Sequence, residues 1–169
     1  MHFVTNVTYK RKDIFHNISS CRFMLMCLGY HRYMMDFNLF GYVIMPDHFH
    51  LLIQPTSDKN NLSKIMQHIK GNFARKYNEL IDNNKKGRRH LSAVYKTGTN
   101  VSNYKPVWQE GFYDTAMRNE KQIFSWLEYM HWNPVKNGLV AHPKEYEFSS
   151  YHQYFGEKRT WIQLPIDLL

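Results

Sequence analysis

The sequence predicts an α+β sandwich of the ferredoxin-like kind, a four-stranded antiparallel sheet with helices packed on one face. Three observations predict it. Runs with strand and helix periods follow one another in the order strand, helix, strand, strand, helix, strand, helix. Two of the strand runs are separated only by Pro46-Asp47, which suits a tight connection and makes them a hairpin. The second helical run carries an apolar stripe on one side and basic residues elsewhere. At 169 residues, with 43% hydrophobic and 16% aromatic content, the chain is expected to form a single domain over residues 1–169 with a substantial core, and disorder is excluded.

The opening Phe3–Tyr9 is rich in β-branched and aromatic residues and alternates, so it reads as a strand inside the sheet, followed by the basic turn Lys10-Arg11-Lys12. From Ile18 to Met35 apolar residues recur with helical spacing, and Ser19 or Ser20 can cap the start. Phe37–Met45 and His48–Gln54 are the hairpin strands. The second helix is expected from Leu62 to about Ile81, with Ile65, Met66, Ile69, Phe73 and Tyr77 on the packing face. The apolar period disappears between Asp82 and Pro106, a long connection of the kind that is often functional. Val107–Met117 reads as the last strand, and Glu120–Asn133 as a helix that Pro134 stops.

The formal charge of +8 and a sequence pI near 9.4 favour a polyanionic partner, because neutralising phosphates releases condensed counterions. Charge alone does not name that partner. Cys21 and Cys27 are the only cysteines, and both sit in the first helical run, where they read as small buried hydrophobes in a reduced, cytoplasmic protein. No export signal or membrane span is expected from the start of the chain or from any apolar run.

The most informative segment is Gly41-Tyr42-Val43-Ile44-Met45-Pro46-Asp47-His48-Phe49-His50-Leu51-Leu52-Ile53. A strand alternates faces, so His48 and His50 project together while Phe49 points to the opposite side. Two imidazoles so placed can meet one metal ion. A second constellation lies in Tyr129-Met130-His131-Trp132-Asn133-Pro134, where helical spacing puts Tyr129 and Asn133 side by side. Tyr113 and Tyr151 are the rival tyrosines, and neither has an amide at helical spacing beside it. His131 and Trp132 point elsewhere on the helix and read as packing residues or, less favoured, as substrate contacts; Asp47 could orient an imidazole as an acceptor, but a turn carboxylate is more often a local cap, and it is left outside the site.

The Met-Pro-Asp-His-Phe-His-Leu-Leu-Ile run resembles the His-hydrophobe-His signature of the HUH nucleases, most closely that of the REP-associated tyrosine transposases, relatives of the IS200 and IS605 transposases. Further blocks carry the resemblance. Tyr9-Lys10-Arg11-Lys12-Asp13-Ile14-Phe15 is similar to that family's start and Trp108-Gln109-Glu110-Gly111-Phe112 to its block before the last helix. Tyr129–Val140 resembles the family's Tyr-x-x-x-Asn-Pro block, and Phe148-Ser149-Ser150-Tyr151 the motif after it. The resemblance implies an HUH nuclease fold and a transposase that cleaves and rejoins single-stranded DNA, with Tyr129 as nucleophile and His48, His50 and Asn133 as ligands of Mg²⁺ or Mn²⁺. It also implies a 5′-phosphotyrosine intermediate, a hairpin-forming DNA substrate, a monomer or a homodimer, and association with the nucleoid when DNA is bound.

Candidate phosphate contacts are Lys10, Arg11 and Lys12, then Lys70, Arg75 and Lys76 on the second helix, then Arg88 and Arg89 in the long connection. Tyr95, Tyr104 and Trp108 are candidates for stacking unpaired bases. Two readings from other classes compete. An idle nucleic-acid-binding protein would bind without metal and without Tyr129, and a hydrolytic nuclease would use water and leave no protein–DNA adduct.

Overall fold

A computed structural model of the chain describes residues 1–85, 105–156 and 164–169. Its sheet has four antiparallel strands, β1 (His2–Val7), β2 (Phe37–Met45), β3 (His48–Pro55) and β4 (Tyr113–Ala116), in the spatial order β2-β3-β1-β4. Between them run α1 (Ile18–Met35) and α2 (Leu62–Lys85), with α3 (Glu120–Lys136) and the short α4 (Tyr151–Tyr154) after β4. This is the strand order and connectivity of the ferredoxin-like fold, with the added α3. Among the described residues no helix is long and apolar enough to cross a membrane.

Helices α1 and α2 pack on one face of the sheet, as the ferredoxin-like expectation has it, and α3 covers the other. Phe49, Leu51 and Ile53 of β3, with Val4 of β1 and Ile44 of β2, pack under Met24 and Leu28 of α1 and Ile65, Ile69 and Phe73 of α2. On the opposite face Phe3, Val43, Met45 and Leu52 pack under Leu127 and Met130 of α3. A second apolar face was written in β2, where all but one of nine residues are buried, a pattern that one-sided packing does not produce. Cys21 and Cys27 lie in the α1/α2 layer, and burial pushes the Cys21 thiol up to about 12 and the Cys27 thiol to about 11. Neither should therefore react with iodoacetamide at pH 8 in the folded protein, and both should react in urea. Alkylation of either by native protein, read by mass, would contradict this packing.

Gly41 sets how closely α3 approaches. It lies opposite Leu52 on the α3 face, next to a register shift between Leu39 and Gly41. A Cβ there would sit 2.5 Å from the Met130 Cε and 2.9 Å from a Leu127 methyl. Gly41→Val should destabilise the fold by about 1–3 kcal/mol through overpacking. An unchanged urea midpoint would show that α3 is not held there.

The chain after α3 continues this layer. Phe148, Ser149 and Ser150 run along the free edge of β2, with Ile44 N–H donating to Phe148 O (2.9 Å), Ser150 N–H to Tyr42 O (2.9 Å) and Tyr42 N–H to Ser150 Oγ (3.0 Å). Buried His131 of α3 meets the same Ser150 hydroxyl at 2.9 Å, so α3 and the added edge are clipped together. His131 is thus a packing residue, as its position on the helix suggested.

Three boundaries differ from expectation. The last strand is only Tyr113–Ala116, all exposed, with a single further bridge between Thr8 and Trp108, because the segment between turns away to pack Val107 and Trp108 into the core. The second helix runs to Lys85 instead of Ile81. Pro134 does not stop α3, which continues to Lys136. In the last turn a missing N–H costs a single hydrogen bond, and the end is closed by Asn137 N–H to Asn133 O (3.0 Å), Gly138 N–H to Val135 O (2.9 Å) and the left-handed Gly138 (φ 69°).

Candidate active site

The register of β3 between β1 and β2 aims the His pair. His48 pairs with Val7 and Met45, and His50 with Thr5 and Val43, so both imidazoles stand on the α3 face of a sheet anchored on each side. Their ring centroids are 4.8 Å apart. His50 Nδ1 lies 2.8 Å from Thr5 Oγ1, and His48 Nδ1 lies 2.5 Å from Asp47 Oδ1. Burial, with a contribution from nearby His48, pushes the His50 pKa down to about 3, so this imidazole is neutral across the physiological range. Its Nδ1 faces Thr5 and its Nε2 lies on the side facing α3.

The start of α3 is fixed by Asn119, whose side chain accepts from Gln122 N–H (3.0 Å), while Gln122 Oε1 accepts from Arg118 N–H (2.9 Å). Leu127 and Met130 then bury one side of the helix. Tyr129 and Asn133, four residues apart, face the His pair. Asn133 is buried, its Nδ2 is 3.0 Å from His50 Nε2, and its Oδ1 accepts from Asn137 Nδ2 at 2.7 Å. Tyr129 is 39% exposed, with its ring edge-on to His50 at 5.9 Å and to Trp126 at 5.4 Å. Lys136, one turn beyond Asn133, sits 4.8 Å from the Tyr129 ring centroid.

These groups line an open cleft of about 520 Å³ together with Thr5, Arg11, Tyr113 and Asn137. Asp47 stands beside it, and its burial alone would raise the carboxyl pKa. Hydrogen bonds and charge from His48 and Arg11 outweigh that and hold the group ionised below its ordinary value. Among the described residues no three His, Cys, Asp or Glu side chains come together as a metal cluster. Two of the three candidate ligands are buttressed at Nδ1, His48 by Asp47 and His50 by Thr5 of β1, while the Asn133 oxygen is turned to Asn137.

The structure brings His48, His50, Tyr129, Asn133 and Arg11 into one cleft. It also brings Tyr113 there, 71% exposed, whereas Tyr151 stacks on Phe155 outside it. Trp108 is a correction. It is buried between Phe15, Phe49 and Phe73 and donates its indole N–H to Lys70 O (3.0 Å), which leaves no ring face for a base. Lys70 is likewise committed to the fold, because its ammonium donates to Gln109 O (3.2 Å) and to Gly111 O and holds the segment before β4. Arg75 and Lys76 are exposed on α2, across the sheet from the cleft, and Lys76 pairs with Glu79 at 2.9 Å. Lys10 and Lys12 are exposed beside Arg11 at the end of β1. Arg88, Arg89, Tyr95 and Tyr104 lie outside the described residues.

Three residues of the site, Asn137, Lys136 and Thr5, escape sequence reasoning, and a fourth, Asp47, reads more often as a turn cap than as a partner of the imidazole. Asn137 could have been found, since it continues the four-residue spacing of Tyr129 and Asn133, and Lys136 lies next to it. Thr5 needed the strand register, and Asp47 needed the position of Arg11.

The sequence profile of the family described as "Transposase IS200 like" matches residues 1–131. Two curated proteins are similar: a "Putative REP-associated tyrosine transposase" of Haemophilus influenzae, 28% identical over 110 residues (65% of this chain, 56% of that protein), and a "REP-associated tyrosine transposase" of Escherichia coli, 24% identical over 117 residues (69% and 56%). The matched region thus spans little more than half the length of either relative. Among solved structures, a REP-associated tyrosine transposase bound to a REP hairpin aligns over 99% of this chain and 92% of its own, with TM-score 0.67 and 18% identity, a likeness of fold.

Proposed function

Because the chain belongs to the IS200-like transposase family, we propose that it is a single-strand DNA endonuclease and strand transferase of the REP-associated type, with Tyr129 as its nucleophile. The observation that carries the reading is the meeting of two elements. Helix α3 presents Tyr129 and Asn133 on one face, directly over the His48–His50 pair of β3, with Asn133 Nδ2 3.0 Å from His50 Nε2.

The donor set fits a divalent cation. Both imidazoles have Nδ1 engaged by a side-chain oxygen, which leaves Nε2 of each as the ligating atom, and a half-turn of the Asn133 amide, which gives up its bond to Asn137, would exchange its nitrogen for its oxygen. His48, His50 and Asn133 would hold Mg²⁺ or Mn²⁺, which supplies Lewis acidity at a non-bridging phosphate oxygen.

In cleavage the Tyr129 phenol loses its proton, its oxygen bonds to phosphorus, and the 3′-oxygen leaves and is protonated as a 3′-hydroxyl. The product is a 5′-phosphotyrosine that keeps the energy of the phosphodiester. Attack by a 3′-hydroxyl reverses the exchange, releases Tyr129 and seals the strand without a nucleotide cofactor. Partial exposure of Tyr129 beside an open cleft suits attack on a polymeric substrate, and Lys136 beside the ring puts a positive charge where phosphate must approach. A DNA strand folded into a hairpin is the proposed substrate, supported by what the structural neighbour binds. The test is incubation with labelled single-stranded hairpin DNAs and Mg²⁺ or Mn²⁺, resolved on a denaturing gel. A metal-dependent band of protein joined to DNA is expected. Cleavage to free 5′-phosphate ends without such a band would replace this reading with hydrolysis.

A further inference from the structure

Resting on the reading that His48 is a metal ligand, we propose that Asp47 is its positioning residue and that Arg11 anchors Asp47, so that a chain Arg11–Asp47–His48 fixes the orientation and tautomer of that imidazole. Asp47 Oδ1 lies 2.5 Å from His48 Nδ1, and Arg11 Nη1 donates to Asp47 Oδ2 at 2.9 Å. Both carboxylate oxygens are therefore taken by side chains of the cleft. Among the described residues no backbone amide reaches them, as a turn cap would require. Asp47 and His48 are largely enclosed, with 18% and 13% of their side chains exposed, so the contact is shielded from water.

The surrounding backbone is arranged to hold this chain. Asp47 O accepts from Thr8 N–H (2.8 Å) and from the Thr8 hydroxyl (2.9 Å), and Phe15 N–H donates to Pro46 O (2.9 Å), which fastens the β2–β3 turn to the segment after β1. In that segment Lys10 (φ 55°) and Arg11 (φ 49°) are consecutive non-glycine residues in the left-handed region. That conformation is unfavourable for side chains with a Cβ and persists only where the surroundings impose it. Here it doubles the chain back so that the Arg11 guanidinium meets Asp47.

The chemical consequence is specific. A carboxylate accepting Nδ1–H leaves Nε2 deprotonated and makes it a stronger donor to a cation, and the Arg11 contact holds the carboxylate in place. Asp47 thus acts through His48 and touches neither substrate nor metal.

The test measures Mn²⁺ binding to the full chain by electron paramagnetic resonance, without DNA, together with the His48 tautomer by long-range ¹H–¹⁵N spectra. Asp47→Ala should weaken Mn²⁺ binding about 10–100-fold and remove the preference for Nδ1–H, the range seen when such partners are lost. Asp47→Asn keeps an oxygen that accepts Nδ1–H and should restore the tautomer and part of the affinity. Arg11→Ala should shift both readouts in the direction of Asp47→Ala, by less. His48→Ala separates the two ideas. If it loses Mn²⁺ while Asp47→Ala binds like wild type with an unchanged tautomer, the positioning role is overturned and the metal site stands. If His48→Ala binds Mn²⁺ as wild type does, the metal reading fails and the positioning role falls with it.

Discussion

Tyr129→Phe should abolish the covalent protein–DNA adduct, lowering the rate of strand cleavage by about 10⁴-fold or more, the scale seen when a nucleophile that works with a coupled group is removed. The substitution deletes one oxygen and keeps the ring that packs edge-on against Trp126 and His50 and lies under Lys136. Since Tyr129 is partly exposed, its stability should move by no more than about 0.5 kcal/mol. Binding of the hairpin DNA should survive, because the basic residues around the cleft are untouched. Adduct formation that persists in Tyr129→Phe would move the nucleophile to Tyr113, the other tyrosine lining the cleft.

His48→Ala should remove metal-dependent cleavage while DNA binding in the absence of metal remains. Lewis-acid stabilisation of a phosphoryl transition state is worth several kcal/mol, so a loss of at least about 10²–10³-fold is expected. His48 is the better choice of the two imidazoles. His50 is buried and holds Thr5 and Asn133, so its removal mixes loss of a ligand with a cavity and unpaired polar groups. Single-turnover cleavage across a Mn²⁺ titration reads the effect. Recovery of full rate at high Mn²⁺ would mean weakened but intact ligation, whereas wild-type rate at all concentrations would exclude His48 from the site.

The parts of the site that a local pattern encodes were legible in the sequence. Strand alternation placed His48 and His50 together, and helical spacing did the same for Tyr129 and Asn133. The hairpin at Pro46-Asp47 and the bounds of α1 were equally local. What the sequence left open depends on contacts between distant segments. That α3 covers the second face follows from its Leu127 and Met130 meeting Gly41, a fit of one missing side chain that no period reveals. Trp108 looked available because it follows Lys105-Pro106 in a polar stretch, and its burial depends on Phe15 and Phe73 converging from elsewhere. The turn reading of Asp47 outweighs the imidazole-orienting one in the sequence because its second partner, Arg11, lies 36 positions away and arrives through a strained turn.

Covalent joining of Tyr129 to DNA is read at residue level by tryptic mass mapping of the adduct. After reaction with a hairpin DNA and Mg²⁺ and nuclease trimming, cleavage at Lys121 and Lys136 releases a peptide whose sole tyrosine is Tyr129, while Tyr113 leaves on a separate peptide ending at Arg118. A nucleotide mass is expected on the first peptide, at Tyr129, dependent on metal and absent from His48→Ala. The same mass on the Tyr113 peptide, or cleaved DNA with no modified tyrosine, would contradict that expectation.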